Sequence, residues 1–204
     1  MLIRHFIIPL ITIVVLLSCN SPDTANKNEP VKATRVDTSK LERQRAFSEL
    51  ALKLYLKPLE EGLDSFEMRI WASSMLAEHS LVIIKHIDSS WLVQNIRYYR
   101  SEDGVIHYRN ELLKPTISLS LLIDSIKQVR LAEIISQEEI PNFIDNVADG
   151  VTYDLEIATK NSYRLLTYHC PEHFAKTEPN NKKFLDVILL VDKFFRFWSP
   201  ICSI

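Results

Sequence analysis

The sequence is poor in glycine, with only three glycines among its 204 residues. Gly62, Gly104 and Gly150 lie too far apart to build a glycine-rich phosphate loop, and none belongs to a Gly-x-Ser-x-Gly nucleophile motif. The chain also lacks an excess of basic residues, since 24 Lys and Arg stand against 26 Asp and Glu. These absences argue against a nucleotide-binding fold. They also argue against a nucleic-acid partner, because binding phosphates requires a basic surface.

The N-terminal segment has the pattern of an export signal. It carries one basic residue, Arg4, then an apolar run at 6–17, and then Ser18-Cys19. A run of this length is too short to cross the roughly 30 Å hydrocarbon core as a helix, and is typical of a signal peptide. The segment 16–19, Leu-Leu-Ser-Cys, resembles the lipobox of bacterial lipoproteins, which implies cleavage after residue 18 and a diacylated Cys19. The alternative is an ordinary signal peptide whose apolar run happens to end at a cysteine.

The following residues, 20–40, are polar and contain two prolines, which is the composition of a flexible tether. The sequence therefore predicts a lipoprotein signal peptide at 1–18, a tether at 19–40 that begins with lipidated Cys19, and one globular domain at 41–204. Removal of Arg4 changes the formal charge from −2 to −3, so the lipid rather than a basic surface would hold the chain to the membrane. Asn20 is not the aspartate associated with inner-membrane retention. The resemblance to lipoproteins therefore favours the outer membrane of the cell envelope.

Hydrophobic periodicity in the globular part predicts both helices and strands. A helix is expected at about 40–57, capped by a Ser-x-x-Glu box at Ser39 and closed by Gly62. Strands are expected at 66–73, 80–87, 91–100 and 105–112 as an antiparallel meander, and at 151–157 and 163–170 as a hairpin turning at 160–161. A helix capped by Ser118 follows the meander, and a long apolar helix ends the chain. This order predicts an α+β fold, in which an antiparallel sheet packs against the helices.

One short segment matches a catalytic pattern, because residues 169–173 read H-x-x-E-H, as in inverted zinc proteases. That motif requires a helix, which brings both histidines to one zinc ion beside a glutamate base. Pro171 lacks a backbone donor and restrains the residue before it, so we expect His169 to end a strand and His173 to begin a loop. The sequence thus predicts no metal and no cofactor. A metal-assisted hydrolase using His169, Glu172 and His173 is the alternative.

The two cysteines that lipidation would leave free are Cys170 and Cys202. An exported domain meets an oxidising compartment, where such a pair can form a disulfide. A Cys170–Cys202 bridge would join the end of the hairpin to the C-terminus. The alternative is two buried thiols.

The predicted C-terminal hairpin concentrates polar and aromatic residues, namely Asp149, Gly150, Tyr153, Glu156, Tyr163, Arg164 and Tyr168. With a turn centred near Lys160, Glu156 and Arg164 are expected close to opposite each other as a structural ion pair. The alternative is that these residues converge on a ligand. The pattern Asp-Gly-x-x-Tyr-x-Leu-Glu, Tyr-Arg and Tyr-x-x-Pro resembles that of uncharacterised exported bacterial lipoproteins over about 66–197. This resemblance implies an α+β lipoprotein domain and no catalytic residue.

These observations favour the first of three functions, and the other two are alternatives. The first is a non-catalytic, lipid-anchored envelope domain that binds another envelope protein or supports an assembly. The second is the metal-assisted hydrolase described above. The third is an inhibitor or immunity-type module that covers a partner's active site with an open face of its sheet.

Lipidation gives the first prediction. The substitution Cys19→Ala removes the thiol that would carry the diacylglycerol, so it should abolish incorporation of a clickable fatty acid and release the protein from the membrane fraction. Labelling and fractionation of cells that express either form measure both effects. An alanine variant that still fractionates with membranes would show that Cys19 is not the anchor.

Overall fold

A six-stranded antiparallel sheet forms the centre of the structure, a computed structural model that describes residues 38–74, 78–115 and 118–195. Its strands are β1 (Glu67–Ser74), β2 (His79–Ile87), β3 (Ser90–Arg100), β4 (Ile106–Leu112), β5 (Val151–Thr159) and β6 (Ser162–His169). Their spatial order is β4-β3-β2-β1-β5-β6. The helices are α1 (Thr38–Lys53), α2 (Leu119–Gln128), the single turn α3 (Pro171–Phe174) and α4 (Pro179–Phe195). The predicted α+β fold, with its meander, hairpin and C-terminal helix, is confirmed.

Residues 1–37 and 196–204 lie outside the described ranges, so the predicted signal peptide, Cys19, most of the tether and Cys202 do too. The described residues all belong to one compact unit, Asp37–Ile204. Among them, no helix is long and apolar enough to cross a membrane.

Alternation along the strands gives the sheet two faces, and helices pack against part of each. The face that we call the α4 face carries Met68, Ile70 and Leu155, and packs against α2 and α4. The opposite face, called the α1 face, carries Trp71 and Ile83, among others, and packs against the end of α1. The side of α4 that meets the sheet consists of Phe184, Val187, Ile188 and Val191, each at most 1% exposed.

The end of α1 differs from the prediction. The helix stops at Lys53 because Tyr55 adopts a left-handed backbone, with φ of 59°. Leu56 N–H donates to Ala51 O at 2.9 Å and Tyr55 N–H to Leu52 O at 3.1 Å, which is a Schellman motif. Gly62 instead ends the short 3₁₀ turn Leu59–Glu61.

Two predicted N-terminal caps are also corrected. Because α1 already includes Thr38, Ser39 lies within the helix and is not its N-cap. Ser118 does occupy the N-cap of α2, but its side chain makes no capping hydrogen bond. Its hydroxyl lies 2.7 Å from that of Ser120 instead.

The outer edge of β6 is closed by two buried side chains from the segment that follows α2. The Gln137 amide binds the backbone of His169 twice, accepting from its N–H at 2.6 Å and donating to its C=O at 3.1 Å. Ser136 Oγ accepts from Thr167 N–H at 3.2 Å. Gln137 and Ser136 are 5% and 1% exposed. They therefore replace a neighbouring strand and leave β6 unavailable for pairing.

The closed edge gives the second prediction. The substitution Gln137→Ala leaves the N–H and C=O of His169 without these partners, so it should lower the free energy of unfolding by about 2 kcal/mol. The neighbouring Glu138 is exposed, and Glu138→Ala should change it by less than about 0.5 kcal/mol. Urea unfolding of both variants measures the difference. Equal effects would contradict the assigned role of the glutamine.

Candidate functional site

The structure does not gather the predicted hairpin residues into one ligand site. Tyr153 and Tyr168 lie opposite each other on the α4 face, at 2% and 0% exposure. Tyr168 stacks on Phe184 with ring centroids 4.1 Å apart. These tyrosines belong to the hydrophobic core.

The predicted ion pair between Glu156 and Arg164 is wrong. Glu156 lies opposite Leu165, and Arg164 lies opposite Ile157, so the two charged side chains point to different faces. The turn is centred between residues 160 and 161, which shifts the register by one residue from a turn centred on Lys160. Such a shift moves a side chain to the other face of the sheet.

Arg164 instead binds the segment that leads to the closed edge. Its guanidinium donates to Leu131 O at 3.0 Å and to Ile134 O at 2.6 Å. Tyr168 OH donates to the next carbonyl, Ile135 O. Arg164 therefore holds this segment in place and has a structural role. Asp149 and Gly150 form the bend that enters β5, roughly 20 Å along the strand from Glu156.

Glu156 belongs to a buried polar cluster on the α1 face, which we call the Glu156 cluster: Glu67, Arg69, Trp71, Glu156 and Tyr163. Trp71 Nε1–H donates to the Glu156 carboxyl at 2.6 Å, and Tyr163 OH donates to it at 3.0 Å. Arg69 donates to Glu67 at 2.7 Å and to the carbonyl of Lys57 at 2.7 Å. Glu156 and Arg69 are each only 2% exposed. The cluster therefore joins β1 to both strands of the hairpin.

Burial raises the pKa of the Glu156 carboxyl, and this effect outweighs the hydrogen bonds and the Arg69 charge, which lower it. Burial, with the neighbouring Glu156 charge, also raises the pKa of Tyr163. Both groups therefore favour their neutral forms. The Glu156 carboxyl accepts hydrogen bonds from donors on β1 and β6, and so holds three strands together.

The raised pKa gives the third prediction. Because the fold favours protonated Glu156, this group's contribution to the free energy of unfolding is largest below about pH 4.3, its unfolded pKa, and declines as the pH rises towards the folded pKa. Glu156→Gln keeps a neutral side chain that can bond both Trp71 and Tyr163. The variant should therefore gain stability over the wild type as the pH rises above about 4.3. Urea unfolding across the pH range measures this gain, and a gain independent of pH would contradict the assignment.

A second buried carboxylate, Asp154, connects α1 to the hairpin. It accepts from Thr167 Oγ1 at 2.5 Å and from the Arg43 guanidinium at 3.3 Å. Burial raises the pKa of Asp154, whereas both partners lower it. Beside it lies a cavity of about 200 Å³ lined by Arg43, Phe143, Asp145, Thr152, Thr167 and His169, among others.

The H-x-x-E-H residues lie in two different elements. His169 ends β6, as predicted, and its Nδ1 lies 2.8 Å from an oxygen of Asp145. His173 lies in α3, so the expected loop there is wrong. Pro171 starts this turn because its missing N–H is not needed at the first helical position. Within the described ranges, no three His, Cys, Asp or Glu side chains come together as a potential metal site.

Cys170, the residue before α3, is fully buried and disulfide-bonded. The other two cysteines of the chain, Cys19 and Cys202, both lie outside the described residues. The Cys170–Cys202 pairing stays a prediction.

The feature that sequence reasoning missed is the open edge of the sheet at β4. Among the described strands, β4 is the last in the order opposite to β6, and all its side chains except that of Ile106 are exposed. Ser101 N–H donates to Val105 O, and Leu113 N–H donates to Val93 O, both at 3.0 Å. These bonds direct the odd-numbered peptide groups of β4 towards β3. The even-numbered ones point outward, and they belong to Ile106, Tyr108, Asn110 and Leu112.

Exposed apolar and aromatic side chains accompany this edge. Tyr108 and Leu112 are 44% and 64% exposed and lie on the α1 face. Tyr55, at the end of α1, is 85% exposed, and its ring centroid lies 6.2 Å from that of Tyr108. We call Tyr55 and the outward residues of β4 the β4 edge surface. A strand edge with such side chains is a template for pairing with another chain.

Comparison with known proteins gives no family assignment. No protein-family model matches the chain, and no curated protein sequence is significantly similar to it.

Proposed function

We propose that this protein is a lipid-anchored domain of the cell envelope that binds a protein partner by adding a strand at β4. The role is one of binding or assembly and is not catalytic. The observation that carries the proposal is the difference between the two edges of the sheet. Ser136 and Gln137 close the β6 edge, whereas the outward peptide groups of β4 run beside exposed apolar side chains.

This difference matters because an unprotected edge carries a cost. Soluble proteins usually blunt their edge strands or cover them, since an exposed edge promotes aggregation. This fold covers one edge with two buried side chains and extends the other over seven residues, Ile106–Leu112. An edge kept open in this way is suited to strand addition, where backbone hydrogen bonds provide affinity and alternate side chains provide specificity.

The polar clusters support a binding role over a catalytic one. Glu156 accepts from Trp71 and Tyr163, and Asp154 accepts from Thr167 and Arg43. Each of these buried carboxylates bridges separate elements of the fold. Their hydrogen bonds therefore account for their burial without a substrate.

The anchor and location in this proposal come from the sequence. The lipobox-like segment at 16–19 supports lipidation at Cys19, and Asn20 favours the outer membrane. A tether of about twenty residues would let the domain reach a partner in the envelope.

Photo-crosslinking in living cells tests the binding surface and is the fourth prediction. A photoreactive amino acid at Asn110 places the probe on the β4 edge surface, and the same residue at Leu189 of α4, 44% exposed, is the matched control. We expect a discrete protein adduct from position 110 and none from position 189. The added Tyr108→Pro substitution removes an outward N–H and should abolish the adduct. Absence of an adduct at 110, or equal adducts from both positions, would overturn the proposal.

A further inference from the structure

We infer that the strand that pairs with β4 is β4 of a second copy of this chain, in an antiparallel register centred on Asn110. This inference rests on the proposed function, because it names the partner of the same edge. It follows from the hydrogen-bonding pattern of the edge together with the order of charged and apolar residues along β4.

The pattern of the edge limits the registers that are allowed. An added strand must meet the outward peptide groups, which belong to even-numbered residues, with outward groups of its own. For two copies of β4 related by a two-fold axis, the centre of pairing can then be any residue from 107 to 111. These registers differ in the side chains that they bring opposite each other.

Charge favours only one of these centres. Centring at 109 places two Arg109 side chains opposite each other, and centring at 111 does so for two Glu111 side chains. Centring at 107 or 108 pairs no opposite charges, because it places His107 opposite itself or opposite Arg109 of the second copy. Centring at Asn110 instead pairs Arg109 with the other copy's Glu111, twice, and brings no like charges together. Opposite charges across a strand pair stabilise it, and like charges destabilise it.

The apolar residues agree with this register. Centring at Asn110 places Tyr108 opposite Leu112 of the second copy, again twice, and Asn110 opposite itself. Both apolar residues are exposed in the single chain, and Tyr55 lies beside Tyr108. The pairing would therefore cover exposed apolar surface on the α1 face. The three hydrogen-bonded residue pairs would supply about six backbone hydrogen bonds.

Arg109 is available for this contact. Its side chain is 67% exposed, and its guanidinium lies 3.3 Å from Glu78 of the same chain. The Glu78 contact lies at the surface, so it would not prevent Arg109 from also meeting a carboxylate of a second copy.

A charge-swap experiment tests the register and is the fifth prediction. Full-length mature protein in detergent should dimerise reversibly in sedimentation equilibrium. Arg109→Glu and Glu111→Arg each create two like-charge pairs, and each should weaken the dimer about tenfold or more. The double variant restores opposite charges and should recover wild-type dimerisation within about threefold. Glu78→Gln is the matched control, and should leave the dimer unchanged because it removes only the contact within the chain.

The outcomes separate this inference from the proposed function. A protein that stays monomeric, or single variants that weaken the dimer without rescue by the double variant, would overturn the inference. If position 110 then crosslinks to a different protein in cells, the proposed strand addition still holds. An adduct between two differently tagged copies of this chain would support both.

Discussion

The pairing of β1 with β5 holds the two parts of the sheet together. β1 joins the meander to the hairpin across a long stretch of chain, and it pairs with β2 on its other side. Its first six residues are all buried, so the side chains on both faces of the strand need packing or hydrogen-bond partners. The α4 face meets this requirement with apolar residues. The α1 face carries Arg69, whose guanidinium binds Glu67 and the carbonyl of Lys57. The positive charge of Arg69 also acts on the nearby Glu156 carboxyl and lowers its pKa, although burial outweighs this effect.

This arrangement explains why Glu156 and Tyr163 of the hairpin are structural. The buried cation Arg69 has its hydrogen-bond acceptors at Glu67 and Lys57 O, and the hairpin places the Glu156 carboxyl at the paired position on β5. That carboxyl in turn requires donors, which Trp71 and Tyr163 provide. Glu156 and Tyr163, which the sequence offered as possible ligand-site residues, therefore connect neighbouring strands of the sheet.

Much of the fold could be predicted from the sequence, because its strands are rich in β-branched and aromatic residues and are bounded by turns. The β2–β3 hairpin turns at Asp88-Ser89, both with positive φ, between the two strands expected at 80–87 and 91–100. The sequence was a poorer guide to which face of the sheet each side chain of the hairpin occupies. A one-residue error in the turn centre placed Arg164 on the wrong face of the sheet, because side chains along a strand alternate with a period of two residues.

Other features depend on contacts that a local pattern does not contain. The end of α1 has a tyrosine at the left-handed position where glycine is usual, so the sequence shows no stop signal there. The role of Gln137 requires knowledge that its segment runs beside β6. The open edge likewise follows from the spatial order of strands, which places the fourth strand at the end of the sheet.

A lipid anchor would strengthen strand pairing at the open β4 edge. A pairing of about six backbone hydrogen bonds and a few exposed side chains is small compared with stable protein interfaces, which bury about 1,600 Å². In dilute solution such a contact must overcome the full cost of association. Anchoring both copies to one membrane confines them to a thin layer, and tethers of about twenty residues allow the edges to meet. The resulting rise in effective concentration strengthens a weak contact without any new interaction. For the same amount of protein, the anchored copies would then form a larger fraction of dimers than the detergent-solubilised protein does.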